Sequence, residues 1–69
     1  MDLKAVGEII KERRKVLALS QLDFCEIANV SQHTLSAIEN GTANPEVATL
    51  IKIFDKLGIE MKLKVRRFP

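Results

Sequence analysis

The sequence predicts a small all-α domain of four helices that ends in a single β-strand. Apolar residues recur at helical spacing in four successive segments up to residue 57. Residues that commonly begin or end helices, such as Ser20, Ser31 and Gly41, separate these segments. After Gly58 the pattern changes to strict alternation of apolar and charged residues, which is typical of a strand.

The first two helices are predicted from apolar spacing and capping residues. The first spans residues 2–17, and KERRK lies on the face away from the core. Its core-facing side chains are Leu3, Val6, Ile10 and Leu17. The second spans residues 21–28, with Ser20 as N-cap and Asn29 in the left-handed turn that ends it. Its core-facing side chains are Phe24, Cys25 and Ala28.

The third and fourth helices follow from the same kinds of signal. Ser31 caps the third helix, which ends near Gly41. The fourth spans residues 45–57, because proline is favoured at the first helical position, and it ends at Gly58. Its core-facing side chains are Val47, Leu50, Phe54 and Leu57.

Length and composition exclude several classes of protein. A chain of 69 residues forms one domain, and so small a core contributes only about 3–5 kcal/mol. One cysteine and one histidine allow neither an internal disulfide nor a zinc site, so no metal or cofactor is expected. No apolar run approaches the roughly 20 residues of a membrane span, and charges interrupt the N-terminus where a signal peptide would be apolar. We therefore expect a cytoplasmic, nucleoid-associated protein.

No catalytic residue is predicted. His33 has hydroxyl neighbours but no carboxylate at helical spacing with which to build a triad. Cys25 faces the core, where a structural role is favoured over redox chemistry. We expect a protein that is not an enzyme.

Charge is unevenly distributed along the chain. No Lys or Arg occurs from residue 16 to residue 51, a segment that holds four acidic residues, whereas basic residues exceed acidic ones in both flanks. Such a basic excess indicates either a solvated face or contact with a polyanion.

The third helix begins with uncharged residues that can donate and accept hydrogen bonds. Ser31, Gln32, His33 and Thr34 are consecutive, and Ser36 follows. Two short helices joined by a tight turn, the second starting in this way, describe a helix-turn-helix, whose second helix presents its N-terminal residues to base edges. Gln suits adenine, while His, Ser and Thr can contact bases or phosphates. Alternatively, Ser31 only caps the helix and the other side chains are simply solvated.

From about residue 9 to residue 57 the chain resembles the Xre family of lambda-repressor-like helix-turn-helix proteins, which includes the phage repressors and Cro. The matching stretches are RRKVLALSQ, NVS, TLSAIENG, NPEVATLIK and FDKLG. Their combined order and spacing is far more specific than any single stretch. The resemblance implies a DNA-binding domain over residues 1–58, with its helix-turn-helix at residues 21–40.

The resemblance assigns roles residue by residue. Gln21 stands where the family has a phosphate-clamping glutamine. Gln32 and His33 stand at base-contacting positions, and Ala37, one turn further on, stands at a third.

Other matched positions carry supporting roles. Asn40 and Thr42 match a loop that contacts the next phosphates. Arg14 and Glu39 occupy positions that form a structural salt bridge between the first and third helices of the family.

The chain also departs from the family pattern. Ala18 replaces a common glycine, so a mildly strained left-handed turn is expected there. Ala37 can offer only apolar contact to a thymine methyl group. Because the third helix lacks Lys and Arg, amides, hydroxyls and helix N-terminal N–H groups must contact the phosphates.

Two copies of the chain are predicted to dimerise through the tail, residues 59–69. Ile59, Met61, Leu63 and Val65 alternate with charged residues, and this strand has no partner in its own chain. A second copy would supply one. A tail reading LGIEMKLKV is similar to that of HipB-type antitoxins, which implies paired strands, a HipA-like kinase toxin as partner and repression of the chain's own operon through a palindromic operator.

Two functional classes follow from these observations. The first is a dimeric DNA-binding repressor, with an antitoxin as its more specific form. The alternative is a helix-turn-helix module that binds a kinase-like toxin but has little DNA affinity of its own.

Overall fold

Four helices make up the regular structure of residues 2–66, the part of the chain that the computed structural model describes. They are α1 Leu3–Val16, α2 Gln21–Ala28, α3 Gln32–Glu39 and α4 Val47–Leu57. Helix α1 packs against α3 and α4, and α2 packs against the same two helices. The all-α class is confirmed. Residues 67–69 of the predicted tail lie outside the described part.

The helix boundaries follow from local hydrogen bonding. The carboxylate of Asp2 caps α1 by accepting the N–H of Lys4 at 3.0 Å. The hydroxyl of Ser20 accepts the N–H of Asp23 at 3.0 Å, which caps α2. Asn29 ends α2 in the left-handed conformation with φ 54°. These bonds satisfy backbone groups that a helix end otherwise leaves without partners.

The core lies where the four helices meet. Phe24, Ile10, Leu35, Ile53 and Leu57 are its largest fully buried side chains. Cys25 is also buried in this cluster, as predicted, and burial raises the pKa of its thiol above the ordinary value.

Two predicted core positions are exposed instead. Leu17 is 40% exposed because α1 ends at Val16 and Leu17 is its C-cap. Val47 is 63% exposed, and α4 begins there rather than at Pro45. The reason is that Glu46 has extended backbone with ψ 149°, so the chain enters the helix only after it.

The strand predicted for residues 59–66 is not found in the described single chain. Ile59 packs on the edge of the core, and its N–H donates to the carbonyl of Phe54 at 2.9 Å. Further along, Leu63 and Val65 are 90% and 95% exposed. A strand exists only through hydrogen bonds to another strand, and no other segment among residues 2–66 offers one.

Within residues 2–66, no helix is both long and apolar enough to cross a membrane.

Candidate nucleic-acid interface

Helix α3 has one buried face and one outward face. Leu35, Ile38 and Glu39 are buried against the other helices. The outward side carries His33, Ser36, Ala37 and Asn40, which at spacings of three and four residues share one side of the helix. His33 and Ala37 are two of the predicted base contacts, and Asn40 is predicted to contact a phosphate.

The polar start of α3 divides into capping and exposed residues. The hydroxyl of Ser31 accepts the N–H of Thr34 at 3.1 Å and donates to the Thr34 hydroxyl at 2.8 Å. Ser31 is therefore occupied with capping the helix. Gln32 and His33 are both exposed, and their polar groups face solvent at the helix N-terminus, where a ligand can reach them. The N-terminal end of α3 thus combines a capping residue, Ser31, with two exposed side chains, Gln32 and His33.

The far end of α3 turns sharply at Gly41, whose φ of 73° favours glycine. Beyond it, the N–H of Thr42 donates to the carbonyl of Ala37 at 3.0 Å, and the Thr42 hydroxyl donates to the same oxygen at 3.2 Å. The hydroxyl hydrogen of Thr42 is thus committed within the chain. Asn40 is exposed beside this turn.

Arg14 and Glu39 form a buried ion pair between α1 and α3. Nε of Arg14 donates to Oε2 of Glu39 at 2.7 Å and Nη2 donates to Oε1 at 3.0 Å. Nη1 donates to the carbonyl of Leu19 at 2.7 Å, which ties the end of α1 to the turn before α2. The side chains are 9% and 1% exposed. Bidentate geometry and a third acceptor satisfy the buried charges well.

The environment of Glu39 acts on its pKa in two directions. Burial alone would raise the pKa, but hydrogen bonds from Arg14 and Gln21, together with the charges of Arg14 and Lys11, bring it below the ordinary value. The pKa of Arg14 is raised, chiefly by its hydrogen bond with Glu39. Both members of the pair are therefore charged at neutral pH.

Gln21, predicted to contact a phosphate, also belongs to this buried network. Its amide nitrogen Nε2 donates to Oε1 of Glu39 at 3.1 Å, and its side chain is half-buried at the start of α2. This bond was not predicted from the sequence, because no local pattern links positions 18 residues apart.

Gly7 lets α1 approach the C-terminal end of α3 closely. A Cβ atom at this position would collide with the carbonyl oxygen of Ile38 and lie 2.8 Å from that of Glu39. This close approach was not predicted from the sequence, although a glycine inside a helix is itself a signal of close packing. Backbone contact and ion pair together fix α3 on α1.

Several cations are already engaged by the fold. Nε of Arg13 donates to the carbonyl of Leu57 at 2.8 Å, at the C-terminal end of α4. Nζ of Lys52 donates to the carbonyl of Asn29 at 3.1 Å, at the end of α2. Arg13 thus has a structural role that its place in KERRK does not reveal. The prediction that KERRK faces away from the core is wrong for Arg14, which is buried because its guanidinium pairs with Glu39.

The geometry defines a helix-turn-helix domain. Helices α2 and α3 are joined by the turn at Asn29, and α3 presents polar side chains outward while its opposite side is buried. The helix-turn-helix family matches residues 10–63. The chain therefore belongs to the Xre and lambda-repressor-like helix-turn-helix family, a family of DNA-binding transcriptional regulators.

Three curated proteins show what the chain is similar to. It is 39% identical to the immunity repressor protein of Bacillus phage phi105 over 56 residues, which cover 81% of this chain and 39% of that protein. It is 32% identical to the ImmF control region 10 kDa protein of the same phage, over 91% of this chain and 70% of that protein. It is 35% identical to Antitoxin PezA of Streptococcus pneumoniae serotype 4, over 78% of this chain and 34% of PezA. The chain thus spans well under half of the immunity repressor and of PezA.

Proposed function

We propose that this chain is a sequence-specific transcriptional repressor that binds palindromic operator DNA as a dimer. The observation that carries the proposal is the outward face of α3, on which His33, Ser36, Ala37 and Asn40 are accessible while Leu35 and Ile38 hold the helix on the core. Such a helix fits the major groove, with its N-terminal residues at the base edges. In this role the chain performs no catalytic step and is associated with the nucleoid.

Contacts to DNA divide by chemistry. Gln32 and His33 supply hydrogen-bonding groups for bases, and Ala37 supplies an apolar contact. Gln21 and Asn40 supply amide contacts to phosphates at either end of the motif. Ser31, Thr34, Ser36 and Thr42 belong to the same proposed interface, although the hydroxyls of Ser31 and Thr42 are already bound within the chain.

Dimerisation through the tail is the second part of the proposal. It is supported by the exposed apolar side chains of Leu63 and Val65 and by a backbone that lacks a strand partner in the described chain. Pairing of two tails would supply that strand partner. Met61 and Ile59, whose N–H already donates to the carbonyl of Phe54, would continue the same apolar side toward the domain. A two-fold dimer matches half-sites roughly 34–36 Å apart.

An antitoxin role is the more specific candidate. The likeness to Antitoxin PezA supports it, as does the resemblance of the tail to that of HipB-type antitoxins. The partner we propose is a HipA-like kinase toxin, bound by the dimer. Where the adjacent gene encodes a kinase-like protein, co-expression with it tests this, since a stable complex should co-purify and should bind the operator more tightly than the dimer alone. An adjacent kinase that does not bind would contradict this candidate and leave the repressor proposal standing.

Binding to the DNA upstream of its own gene tests the main proposal. We expect the purified chain to retard this DNA in a gel at concentrations that leave random DNA of equal length free, because specific sites are typically at least 10³ tighter than non-specific ones. Retardation of neither DNA would instead favour a helix-turn-helix module that acts through protein contacts alone, and equal retardation of both would contradict sequence-specific binding.

A further inference from the structure

We infer that Glu39 is a positioning residue that holds the Gln21 amide ready for a DNA phosphate. The inference rests on the proposed DNA-binding function and assigns a second role to an ion pair that otherwise only stabilises the fold. Oε1 of Glu39 accepts two donors, Nη2 of Arg14 at 3.0 Å and Nε2 of Gln21 at 3.1 Å. The buried pair is therefore in direct contact with the proposed phosphate-binding side chain.

The chemistry fixes the orientation of the Gln21 amide. A carboxylate only accepts hydrogen bonds, so the NH₂ group must face Glu39, and the reversed amide would bring two oxygens together. The same nitrogen carries a second N–H, directed away from Glu39 in the plane of the amide. The first N–H is bonded to the Glu39 carboxylate, whose side chain is only 1% exposed. The second N–H is therefore the one left for a ligand.

Glu39 itself is immobile, which makes it an effective anchor. Two hydrogen bonds from Arg14 hold its carboxylate, and Arg14 is in turn held by the carbonyl of Leu19 at 2.7 Å. A glutamine normally loses rotamer freedom when it binds a ligand, and this ordering weakens the interaction. Because Glu39 orders the amide before DNA arrives, that loss is smaller on binding.

The position at the start of α2 suits a phosphate. Gln21 is the first residue of the helix, and N-terminal N–H groups with the helix dipole favour an anion there. The hydroxyl of Ser20 caps the helix by accepting the N–H of Asp23 at 3.0 Å. Glu39 thus acts on DNA only through its hydrogen bond with Gln21 and does not itself contact the DNA.

A double-mutant cycle on DNA affinity tests this role. The matched backgrounds are Arg14→Met/Glu39→Gln, which retains an amide oxygen to accept from Gln21, and Arg14→Met/Glu39→Met, which retains none. Both lack the ion pair and leave no lone buried charge, and replacement of such a pair by uncharged side chains, above all apolar ones, is often tolerated. We expect Gln21→Ala to weaken binding roughly two- to tenfold more in the wild type and the first background than in the second.

The outcomes separate the two claims. A purely structural ion pair would alter melting temperature but leave the penalty of Gln21→Ala equal in all backgrounds, and that equality would overturn the positioning role alone. If the wild type binds no DNA, the proposed function and the positioning role fail together.

Side-chain amide NMR of the wild type keeps the test independent of how well the variants fold. In the free protein, one Gln21 side-chain proton should exchange with water more slowly than those of the exposed Gln32. Adding DNA should shift the other Gln21 proton. Free exchange of both Gln21 protons, at the rate seen for Gln32, would contradict the inference.

Discussion

Arg14 and Glu39 join α1 to α3 through two parallel hydrogen bonds of 2.7 and 3.0 Å. Both residues are buried, at 7% and 4% exposure. The pair sets the position of the helix whose outward face we propose contacts DNA. Its contribution to stability differs from that of a surface ion pair, because loss of one partner leaves the other charged in a nearly dry site.

Glu39→Ala is expected to lower the free energy of unfolding by about 3–5 kcal/mol, because Arg14 would remain buried without its carboxylate. For a domain of this size that approaches the whole stability. Arg14→Met/Glu39→Met is the matched control and should be much less destabilised, since it buries no lone charge. Thermal unfolding followed by circular dichroism measures both. A melting temperature unchanged by Glu39→Ala would show that the pair contributes little.

The ion pair also predicts a dependence of stability on pH. The pKa of Glu39 in the folded chain lies below its ordinary value of 4.5, so the folded state binds this proton less readily than the unfolded state. The contribution is complete above the ordinary value and is lost as pH falls through the lowered pKa of the folded state. Denaturant unfolding from about pH 7 to about pH 3 should therefore show a steeper loss in the wild type than in Arg14→Met/Glu39→Met. Parallel curves would contradict this assignment.

The local elements of the fold could be predicted because their signals are local. The left-handed conformations of Ala18 and Asn29, with φ of 57° and 54°, and the stop at Gly41 depend on residues near them in the chain. The predicted start of α4 at residue 45 was wrong, because the path from α3 to α4 keeps the backbone of Glu46 extended. That path is a property of the whole fold, so Pro45 alone did not reveal it.

The exposure of the residues at the start of α3 could be predicted, but the contacts of the proposed site within the chain could not. Polar residues at the start of α3 identified Gln32 and His33, and both are exposed. In contrast, the bonds from Gln21 to Glu39 and from Arg13 to Leu57 join distant parts of the chain. Sequence periodicity carries no information about such pairs. A strand at residues 59–66 requires a partner strand, and the alternating sequence alone does not show that one is present.

Leu63→Pro is expected to disrupt the dimer that we propose for the tail. Proline removes a backbone donor and fits poorly inside a paired strand. Leu63→Ala is the control, because it retains the donor and removes only side-chain contacts. Light scattering at micromolar concentration should give the mass of a dimer for the wild type and of a monomer for Leu63→Pro. A wild type that is monomeric, with the same mass as the proline variant, would rule out the tail dimer.

Salt dependence is expected to be shallow. Arg13, Arg14 and Lys52 donate to acceptors within the chain, and no Lys or Arg lies from residue 16 to residue 51. With about two phosphates neutralised per subunit, log affinity of the dimer should fall against log salt with a slope near −4 or shallower. A basic partner bound to the dimer should steepen the slope. Titrations between about 50 and 200 mM salt measure it, and a slope of about −8 or steeper for the chain alone would contradict the expectation.

The most direct test of base recognition by α3 is the affinity of Gln32→Ala for operator and for random DNA. The exposed Gln32 amide should contact a base, so its loss should weaken operator binding by about 1–3 kcal/mol and change random-DNA binding little. Gln21→Ala is the comparison, since loss of a phosphate contact should weaken binding to both DNAs alike. If Gln32→Ala instead weakens operator and random DNA equally, α3 does not read bases through Gln32 and the account is contradicted.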